Sequence, residues 1–340
     1  MRVKAGAMLA GLSTIAFLLP PVGGAAAQSV EEFYRGKTIT ILLGHPPGGS
    51  YDMYARLAAN HMGKHIPGNP RFLIQAKPGG SGIVGLVALY QQGARDGSMM
   101  GIPPETAAHT QILSPNKAKW KMEEMHYVGS FANVNGSLVR RKDSPAKTLA
   151  EFKTETVNVG CGGKLGQSYI TPALLKAYAG YKLNIICGYP GSAEIVIALE
   201  RGEIDAYASS WNQWNRRAEI RDGTIVPMLQ SGLSRHNDIP NVPLLQEIVD
   251  DPKQKKVIEF LSSGAAIGRA LVTPPGVPAD RLAALRAAFD KMVKDPEFLA
   301  EAEKVGAEIN PTPGAEVQKI NEEIVNAPKE IVDLAIEVTK

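Results

Sequence analysis

Apolar runs, glycine-rich turns and amphipathic segments follow one another in the same order four times along this chain. Each apolar run has the length of a strand, and the segment after it repeats apolar residues at helical spacing, as Met53 and Leu57 do. Strands that alternate with helices in this way predict βαβ units and parallel sheets. The predicted strands are 38–43, 71–77, 156–161 and 183–187, and the predicted helices are 51–62, 83–92, 168–179 and 192–200.

The turn between each strand and its helix contains at least two glycines. Right-handed crossovers place such turns at the carboxyl ends of the strands. Because the four units fall into two pairs along the chain, we expect two similar α/β lobes that face a common cleft. The turns are named loop 1 (44–50), loop 2 (78–82), loop 3 (162–167) and loop 4 (188–191).

Glycine-rich loops before helices suit anion binding. A helix N-terminus leaves backbone N–H groups without partners and carries the positive end of the helix dipole, and glycine lets an anion approach closely. Ser50 and Ser192 are predicted to cap the helices after loops 1 and 4. Asp52 is expected either to fasten loop 1 by accepting backbone hydrogen bonds or to hold a water or a donor group of the ligand. Four such ends at one cleft predict a carboxylate or phosphate site that needs no arginine. The alternative is that the glycines only form tight turns.

The first 27 residues have the pattern of a signal peptide. Arg2 and Lys4 precede an uncharged apolar run over 5–19, and Ala25-Ala26-Ala27 offers small residues for cleavage before Gln28. A membrane anchor is the alternative, but the run is shorter than the roughly 20 residues that a bilayer span needs. We expect an exported, periplasmic protein.

Composition excludes other classes. The formal net charge is +3, and it becomes +1 when 1–27 is removed with Arg2 and Lys4, so charge-driven binding to nucleic acid or membranes is not expected. With 44% hydrophobic residues the chain can bury a full core, and its length favours two domains. Cys161 and Cys187 are predicted to end neighbouring parallel strands, and whether they form a disulfide stays open.

Sequence support for catalysis, cofactors or metals is weak. Residues 80–85 spell G-x-G-x-x-G ahead of Glu105, the outline of a dinucleotide site, but their strand comes second in its lobe and prolines interrupt the strand that should carry the acid. His61 and His65 lie four apart without an H-E-x-x-H frame. No nucleophile elbow is present. We expect no catalytic residue, no cofactor and no metal.

Five segments spread over the mature chain point to a known family. They read FYRGKTITILLGHPPGGSYDMYARLAANHMGKHIPGNP, KPGGSGIVG, ARDGSMMGI, GYPGSAEIVIALERGEIDA and LVTPPGVPADRLAALRAAFDKMVKDPEFLAEAEKVGAEINPTP. Together, and in this order, they resemble the tripartite tricarboxylate transporter substrate-binding family, also called Bug receptors.

The resemblance implies an α/β, two-lobed periplasmic binding protein of type II-like fold, with a mainly parallel sheet flanked by helices in each lobe. Lobe one is expected over 28–129 and 251–340, and lobe two over 130–250. Such a monomeric receptor captures a small organic acid, usually a carboxylate, in the interlobe cleft and delivers it to a membrane permease or a sensor. A sensor-only binding protein and an exported hydrolase or oxidoreductase remain alternatives, and the ligand is open.

The resemblance also implies that backbone N–H groups, hydroxyls and water hold the carboxylate. The chain departs from the family at His45, Ile83, Leu165 and Gly166; His45 either faces the ligand or bonds a neighbouring loop. Trp211 either stacks on a ligand or packs in the core. The candidate ligand-binding residues are His45, Pro47, Gly48, Gly49, Ser50 and Asp52 at loop 1, Gly80, Ser81 and Gly82 at loop 2, Gly163 at loop 3, Tyr189, Gly191 and Ser192 at loop 4, Asp205 at a strand end expected to face the cleft, and Trp211.

Overall fold

The computed structural model describes residues 28–116, 118–164 and 166–340. The expected signal peptide, 1–27, and the departure at Leu165 lie outside the described residues. Within the described ranges, no helix has the length and apolar character needed to cross a membrane.

Two mixed sheets form the framework of the described chain. The first has the strand order β11-β4-β10-β3-β1-β2 and the second β7-β6-β8-β5-β9. The strands are β1 (Thr38–Leu43), β2 (Arg71–Ala76), β3 (Met99–Ile102), β4 (His126–Ser130), β5 (Gly136–Arg141), β6 (Val157–Cys161), β7 (Leu183–Cys187), β8 (Ala206–Ser210), β9 (Ile225–Ser231), β10 (Ala270–Thr273) and β11 (Thr312–Pro313).

Each sheet joins a parallel part to an antiparallel part, so the expected mainly parallel sheets are mixed sheets, and the edge strand β11 of the first sheet is antiparallel to β4. β1 runs parallel to β2 and β3, and β6 runs parallel to β7 and β8. β10 is antiparallel to β3 and β4, and β5 is antiparallel to β8 and β9. The parallel strands carry loops 1 to 4 at their carboxyl ends, as the sequence pattern predicted.

Helices cover both sheets. They are α1 (Val30–Tyr34), α2 (Ser50–His61), α3 (Ile83–Gln92), α4 (Ala107–Leu113), α5 (Gln167–Tyr178), α6 (Ser192–Arg201), α7 (Ala218–Arg221), α8 (Pro252–Ser262), α9 (Gly264–Ile267), α10 (Ala279–Met292), α11 (Pro296–Val305), α12 (Gly314–Val325) and α13 (Lys329–Thr339). Short 3₁₀ turns span Gly63–His65, Gly80–Gly82, Met122–Glu124, Glu151–Lys153, Trp211–Gln213 and Leu245–Glu247.

The predicted caps of two helices are wrong, although the four strand–loop–helix units lie where they were predicted. Ser50 and Ser192 occupy the first helical positions, and Gly49 and Gly191 are the N-caps, without a side-chain hydrogen bond. Both glycines take the extended conformation of a cap residue, so each helix begins one residue earlier than a serine cap requires. The two serine hydroxyls are therefore not used as N-caps.

Each sheet packs against its own apolar core. Ile41, Leu57 and Phe289 belong to the core of the first sheet, and Val159 and Leu174 to that of the second. Two chain segments cross between the sheets side by side. Phe131 N donates to Arg269 O at 3.1 Å, and Val134 N donates to Ala265 O at 2.8 Å.

The division of the chain into lobes at 129/130 and 250/251 stays a prediction. Helices α8 and α13 pack on the core of the second sheet through Val257, Ile258, Leu261 and Ala335, although both segments were expected in lobe one. The reason is that the chain returns to the first sheet only at β10, after α8, and that α13 crosses back to contact α5 and α8.

The prediction that Cys161 and Cys187 end neighbouring parallel strands is confirmed. They are partners in the register of β6 and β7, and they form a disulfide with their Cα atoms 4.2 Å apart. The bond ties together the strand ends from which loops 3 and 4 depart.

Candidate functional site

Loops 1 and 2 lie against each other at the ends of β1 and β2. A Cβ on Gly44 would lie 2.1 Å from the carbonyl oxygen of Gly82, and a Cβ on Gly82 would lie 2.4 Å from Cε1 of His45. No real Cβ tolerates such distances, so glycine at both positions is required for the two loops to touch.

Asp52 fastens loop 1 to helix α2, as predicted. Its buried Oδ2 accepts a hydrogen bond from the Gly48 N–H at 3.0 Å and another from Arg56 Nε at 2.8 Å. Gly48 has a φ of 90°, which favours glycine. The carboxylate is thereby engaged with the protein and does not face an incoming anion unpaired.

The N-terminus of α2 presents backbone donors at loop 1. The first hydrogen bond of the helix runs from Met53 N to Gly49 O at 3.0 Å. The N–H groups of Ser50, Tyr51 and Asp52 precede it and have no partner within the helix. Because Gly48 and Gly49 carry no side chains, the approach to these donors is open, and a Cβ on Gly49 would meet no atom within 4 Å.

A buried arginine lies directly behind this helix end. Arg269 is 2% exposed, and its Nε and Nη2 donate hydrogen bonds to Ser50 Oγ at 3.2 and 3.1 Å. Its Nη1 donates to Glu105 Oε2 at 2.9 Å. An arginine behind loop 1 was not predicted from the sequence, and that ligand binding needs no arginine stays a prediction.

Three side chains are stacked beneath loop 1. The rings of His45 and Tyr51 are stacked, with centroids 3.7 Å apart. The guanidinium carbon of Arg269 lies over the Tyr51 ring, 4.0 Å from its centroid. The Tyr51 hydroxyl donates to Glu105. Among the described residues, Nδ1 of His45 is buried and has no hydrogen-bond partner, so the histidine packs against loop 2 without bonding it through that atom.

Burial and the Arg269 charge set the ionisation of this cluster. Burial, and then the charge of Arg269, lowers the pKa of His45 to about 4, so its ring is neutral at pH 7. Burial raises the pKa of Tyr51 well above its ordinary value. Burial alone would raise the pKa of Glu105, but the charge of Arg269 and the hydrogen bond from Tyr51 outweigh it, and the pKa is lowered. Arg269 and Glu105 therefore form a buried, ionised pair.

Loops 3 and 4 reach across to loops 1 and 2. A Cβ on Gly166 would lie 3.1 Å from Ser81 Oγ, and one on Gly191 would lie 3.3 Å from Pro46 Cγ. Ser81 takes the left-handed conformation, with a φ of 55°, which is uncommon for a residue other than glycine. The four loops thus meet at one place; Pro47, Gly80, Gly163 and Tyr189 are members of these loops.

The helix ends of α2 and α6 each carry an acidic residue in the first turn, but among the described residues only that of α2, Asp52, is bonded, by Gly48 N–H and Arg56 Nε. At loop 4, the carboxylate of Glu194 lies beside Gly191, where a Cβ would be 2.9 Å from Oε2, and this negative charge opposes an anion there. Behind α2 stands the positive charge of Arg269. Ser192, at the start of α6, is exposed.

Two predicted residues lie away from the loops. Asp205 precedes β8, and its Oδ2 accepts from the Asn158 N–H at 2.8 Å. Because β6 and β8 are parallel and Asn158 is near the start of β6, Asp205 lies at the opposite end of the sheet from loop 3. The expectation that it faces the cleft is wrong. Trp211 is 2% exposed, and its indole Nε1 donates to Asp238 at 3.1 Å, so it packs in the core.

Contacts beyond the loops also join the two sheets. His236 lies in the segment after β9, and Glu308 lies in the segment after α11. Their side chains are in contact, with Nε2 of His236 3.0 Å from Oε2 of Glu308. Asn212 Nδ2 donates to the Tyr54 hydroxyl at 3.1 Å, and that hydroxyl donates to the Glu308 carbonyl at 2.8 Å. We call His236, Asn212, Tyr54 and Glu308 the side latch.

A small cavity lies between the lobes behind the Arg269–Glu105 pair. Its volume is about 20 Å³, room for a single water molecule. Glu105, Gln167, Ser231 and Leu261 contribute to its walls.

Metal chemistry finds no support in the part of the chain that the structure describes, where no group of three His, Cys, Asp or Glu side chains could hold an ion. Nε2 of His61 lies 2.7 Å from Glu301, and that of His65 lies 3.0 Å from Asp295. The two histidines fasten α2 and the turn after it to α11.

Sequence reasoning missed Arg269, Tyr51 and the role of Glu105. One signal was present in the sequence. Arg269 is the single charged residue in the segment 265–272, whose other residues are apolar or glycine. A buried arginine almost always has a partner, so a paired arginine could have been expected there. Its partner could not be named, because 164 residues separate it from Glu105 and 219 from Ser50.

Comparison with known proteins identifies the family. The model of the tripartite tricarboxylate transporter family receptor matches residues 54–335. The chain belongs to this receptor family. The matched region begins just after loop 1, and the family consists of solute-binding receptors, which are not enzymes, as was predicted.

The following relatives of the receptor are distant in sequence but cover most of its length. A UPF0065 protein of Agrobacterium vitis is 26% identical over 311 residues, covering 88% of this chain and 85% of the relative. MatC from Rhodopseudomonas palustris, solved with bound malate, has a TM-score of 0.69 at 19% identity and covers 89% of this chain and 99% of its own. Another R. palustris protein, solved with adipate, has a TM-score of 0.69 at 18% identity, with coverages of 88% and 97%. The two-lobed fold of periplasmic binding proteins is thereby confirmed.

Proposed function

We propose that this receptor captures a small organic acid between its two lobes and holds a carboxylate of that acid at the N-terminus of α2. The observation that carries the proposal is the face of loop 1. Backbone donors of Ser50, Tyr51 and Asp52 stand there unscreened by side chains, with the guanidinium of Arg269 behind them. Donors fixed before the ligand arrives cost little reorganisation on binding.

The other three loops complete the proposed site. Ser81 supplies a hydroxyl from loop 2, and Gly80, Gly82, Gly163 and Gly191 keep the walls narrow. Tyr189 and Ser192 stand at the rim, and His45 and Pro47 shape the floor and edge of loop 1. Asp205 and Trp211 are not part of the proposed site.

Two relatives support the class of ligand. MatC carries malate and the second R. palustris protein carries adipate, and both are small dicarboxylates. We therefore propose a carboxylate ligand for this chain as well, delivered to the permease of a tripartite tricarboxylate-type transporter.

A thermal-shift screen tests the proposed function. Purified mature protein is heated with a panel of mono-, di- and tricarboxylates that includes malate and adipate, each beside its neutral amide. A ligand at a hundred times its Kd stabilises the folded state by about 2.7 kcal/mol, so the melting temperature should rise with at least one acid and with none of the amides. A panel without any shift at millimolar concentration would contradict the proposal.

We also propose that the receptor works in the periplasm as a monomer after cleavage behind Ala27. The charged start and apolar run of 1–27 support this location. Intact-mass measurement on a periplasmic extract should give a chain that begins at Gln28, and light scattering should give one chain per particle. A protein retained in the membrane fraction with Met1 present refutes the proposed location.

A further inference from the structure

The hydrogen bonds around Ser50 leave its hydroxyl only one role toward a ligand. Ser50 Oγ receives two hydrogen bonds from Arg269, at 3.2 and 3.1 Å. A serine hydroxyl has two lone pairs and one proton, and arginine is always protonated and never accepts. Since both lone pairs are engaged, the hydroxyl can offer a ligand only its proton.

The surroundings of this hydroxyl are donors as well. Ser50 is partly exposed and occupies the first position of α2. The N–H groups of Ser50, Tyr51 and Asp52 come before the first helical hydrogen bond. A ligand group that enters here meets backbone and hydroxyl protons, and the carboxylate at this helix end, that of Asp52, is held by Gly48 N–H and Arg56 Nε.

Arg269 is oriented for this task by its second partner. Glu105 takes the Nη1 side of the guanidinium at 2.9 Å, and the Tyr51 ring covers one of its faces. The edge formed by Nε and Nη2 is thereby directed at Ser50. The planar fork of arginine fits this arrangement, whereas the point charge of lysine does not fix an edge.

We propose that Arg269 is a positioning residue that makes Ser50 an obligate hydrogen-bond donor, so that the receptor selects an ionised carboxylate over the corresponding amide. This inference rests on the proposed function and names the group that the site recognises. A carboxylate accepts with both oxygens, whereas an amide accepts only with its carbonyl oxygen. Its N–H₂ group would face donors of the site and leave their hydrogen bonds unmade, which lowers the affinity for the amide strongly.

The test measures affinity by calorimetry with malate and adipate as probes and with malamide and adipamide as their neutral counterparts. Ser50→Ala is expected to weaken binding of the acids by about tenfold to a hundredfold, the range for one hydrogen bond to a charged group. Ser50→Thr keeps a hydroxyl and should stay within about threefold of the wild type. The diamides should bind the wild type at least about tenfold more weakly than the acids.

A double-mutant cycle separates positioning from a general structural role. Arg269→Gln with Glu105→Gln removes both charges together and leaves no lone buried charge. This pair should weaken acid binding in the wild-type background and add nothing in the Ser50→Ala background. Arg140→Gln is the matched control, since Arg140 is also buried but bonds backbone carbonyls of the second sheet; it should lower the melting temperature without changing affinity.

The outcomes are distinct. Losses from Ser50→Ala and from the charge pair that do not add support the inference. Equal binding of acids and diamides, unchanged affinity of Ser50→Ala, or fully additive losses each overturn it and leave the receptor function standing. Failure of the wild type to bind either acid contradicts the proposed function for these acids, and the inference with it.

Discussion

Reduction of the Cys161–Cys187 disulfide should destabilise the second lobe. The bond joins residues 26 apart in sequence at the ends of β6 and β7. A cross-link that closes a loop of this length lowers the conformational entropy of the unfolded chain and thereby raises the free energy of unfolding by about 3.5 kcal/mol at 25 °C. For a unit of this size, that difference corresponds to a fall in melting temperature of about 10 °C.

Tryptophan fluorescence in urea measures this effect where it occurs. Trp211 and Trp214 both lie in an apolar cluster of the second sheet, whereas the third tryptophan, Trp120, is buried in a cluster of the first sheet. In a Trp120→Phe background the emission therefore reports the unfolding of the second lobe. Oxidised and reduced protein of this background are compared, because reduction changes only the bond. The double variant Cys161→Ala with Cys187→Ala is the control, and its stability should not respond to reductant.

Two results refute this reasoning. The first is a free energy of unfolding that agrees between oxidised and reduced protein within about 0.5 kcal/mol, the scatter of such comparisons. The second is a mass spectrum of the unreduced protein, unfolded and alkylated, that shows two alkylated cysteines and therefore two free thiols.

Two further predictions concern the cleft. Gly49→Val places an isopropyl group where a Cβ meets no atom within 4 Å, at a residue with a φ of −92° that valine can adopt; acid affinity should fall more than about tenfold with circular dichroism unchanged, and unaltered affinity argues against loop 1. In the side latch, the hydrogen bond to Glu308 raises the pKa of His236, so its contribution is complete below the ordinary pKa of about 6.5 and is lost as pH rises through the raised value. His236→Gln should therefore lower the melting temperature more at about pH 5.5 than at about pH 8.5. An equal fall in melting temperature at both pH values would show that the charge of His236 does not contribute.

Local patterns in the sequence were sufficient for the four strand–loop–helix units. Apolar runs followed by glycines and helical spacing placed β1, β7 and α3 at their observed bounds, because the period of the side chains and the turn chemistry are properties of neighbouring residues. The neighbouring positions of Cys161 and Cys187 at the ends of β6 and β7 followed from the same units, since consecutive parallel strands tend to be neighbours, whereas the bond between them was left open.

The chemistry behind the loops depends on contacts that no local pattern contains. Ser50 was expected to cap a helix, but the residue before it takes the cap and its hydroxyl turns to Arg269, 219 residues away. Asp205 was placed at the cleft by family resemblance, whereas the register of β6 and β8 puts it at the opposite end of the sheet. Both differences arise from tertiary packing, which decides where a polar side chain finds its partner.

A crystal structure of the receptor with the acid that stabilises it most tests the central claim most directly. The account predicts a carboxylate oxygen within about 3.2 Å of Ser50 Oγ and of backbone nitrogens in the first turn of α2, a distance typical of hydrogen bonds, with loops 2, 3 and 4 around the rest of the ligand. A ligand bound outside the four loops, or one whose carboxylate points away from α2, contradicts it.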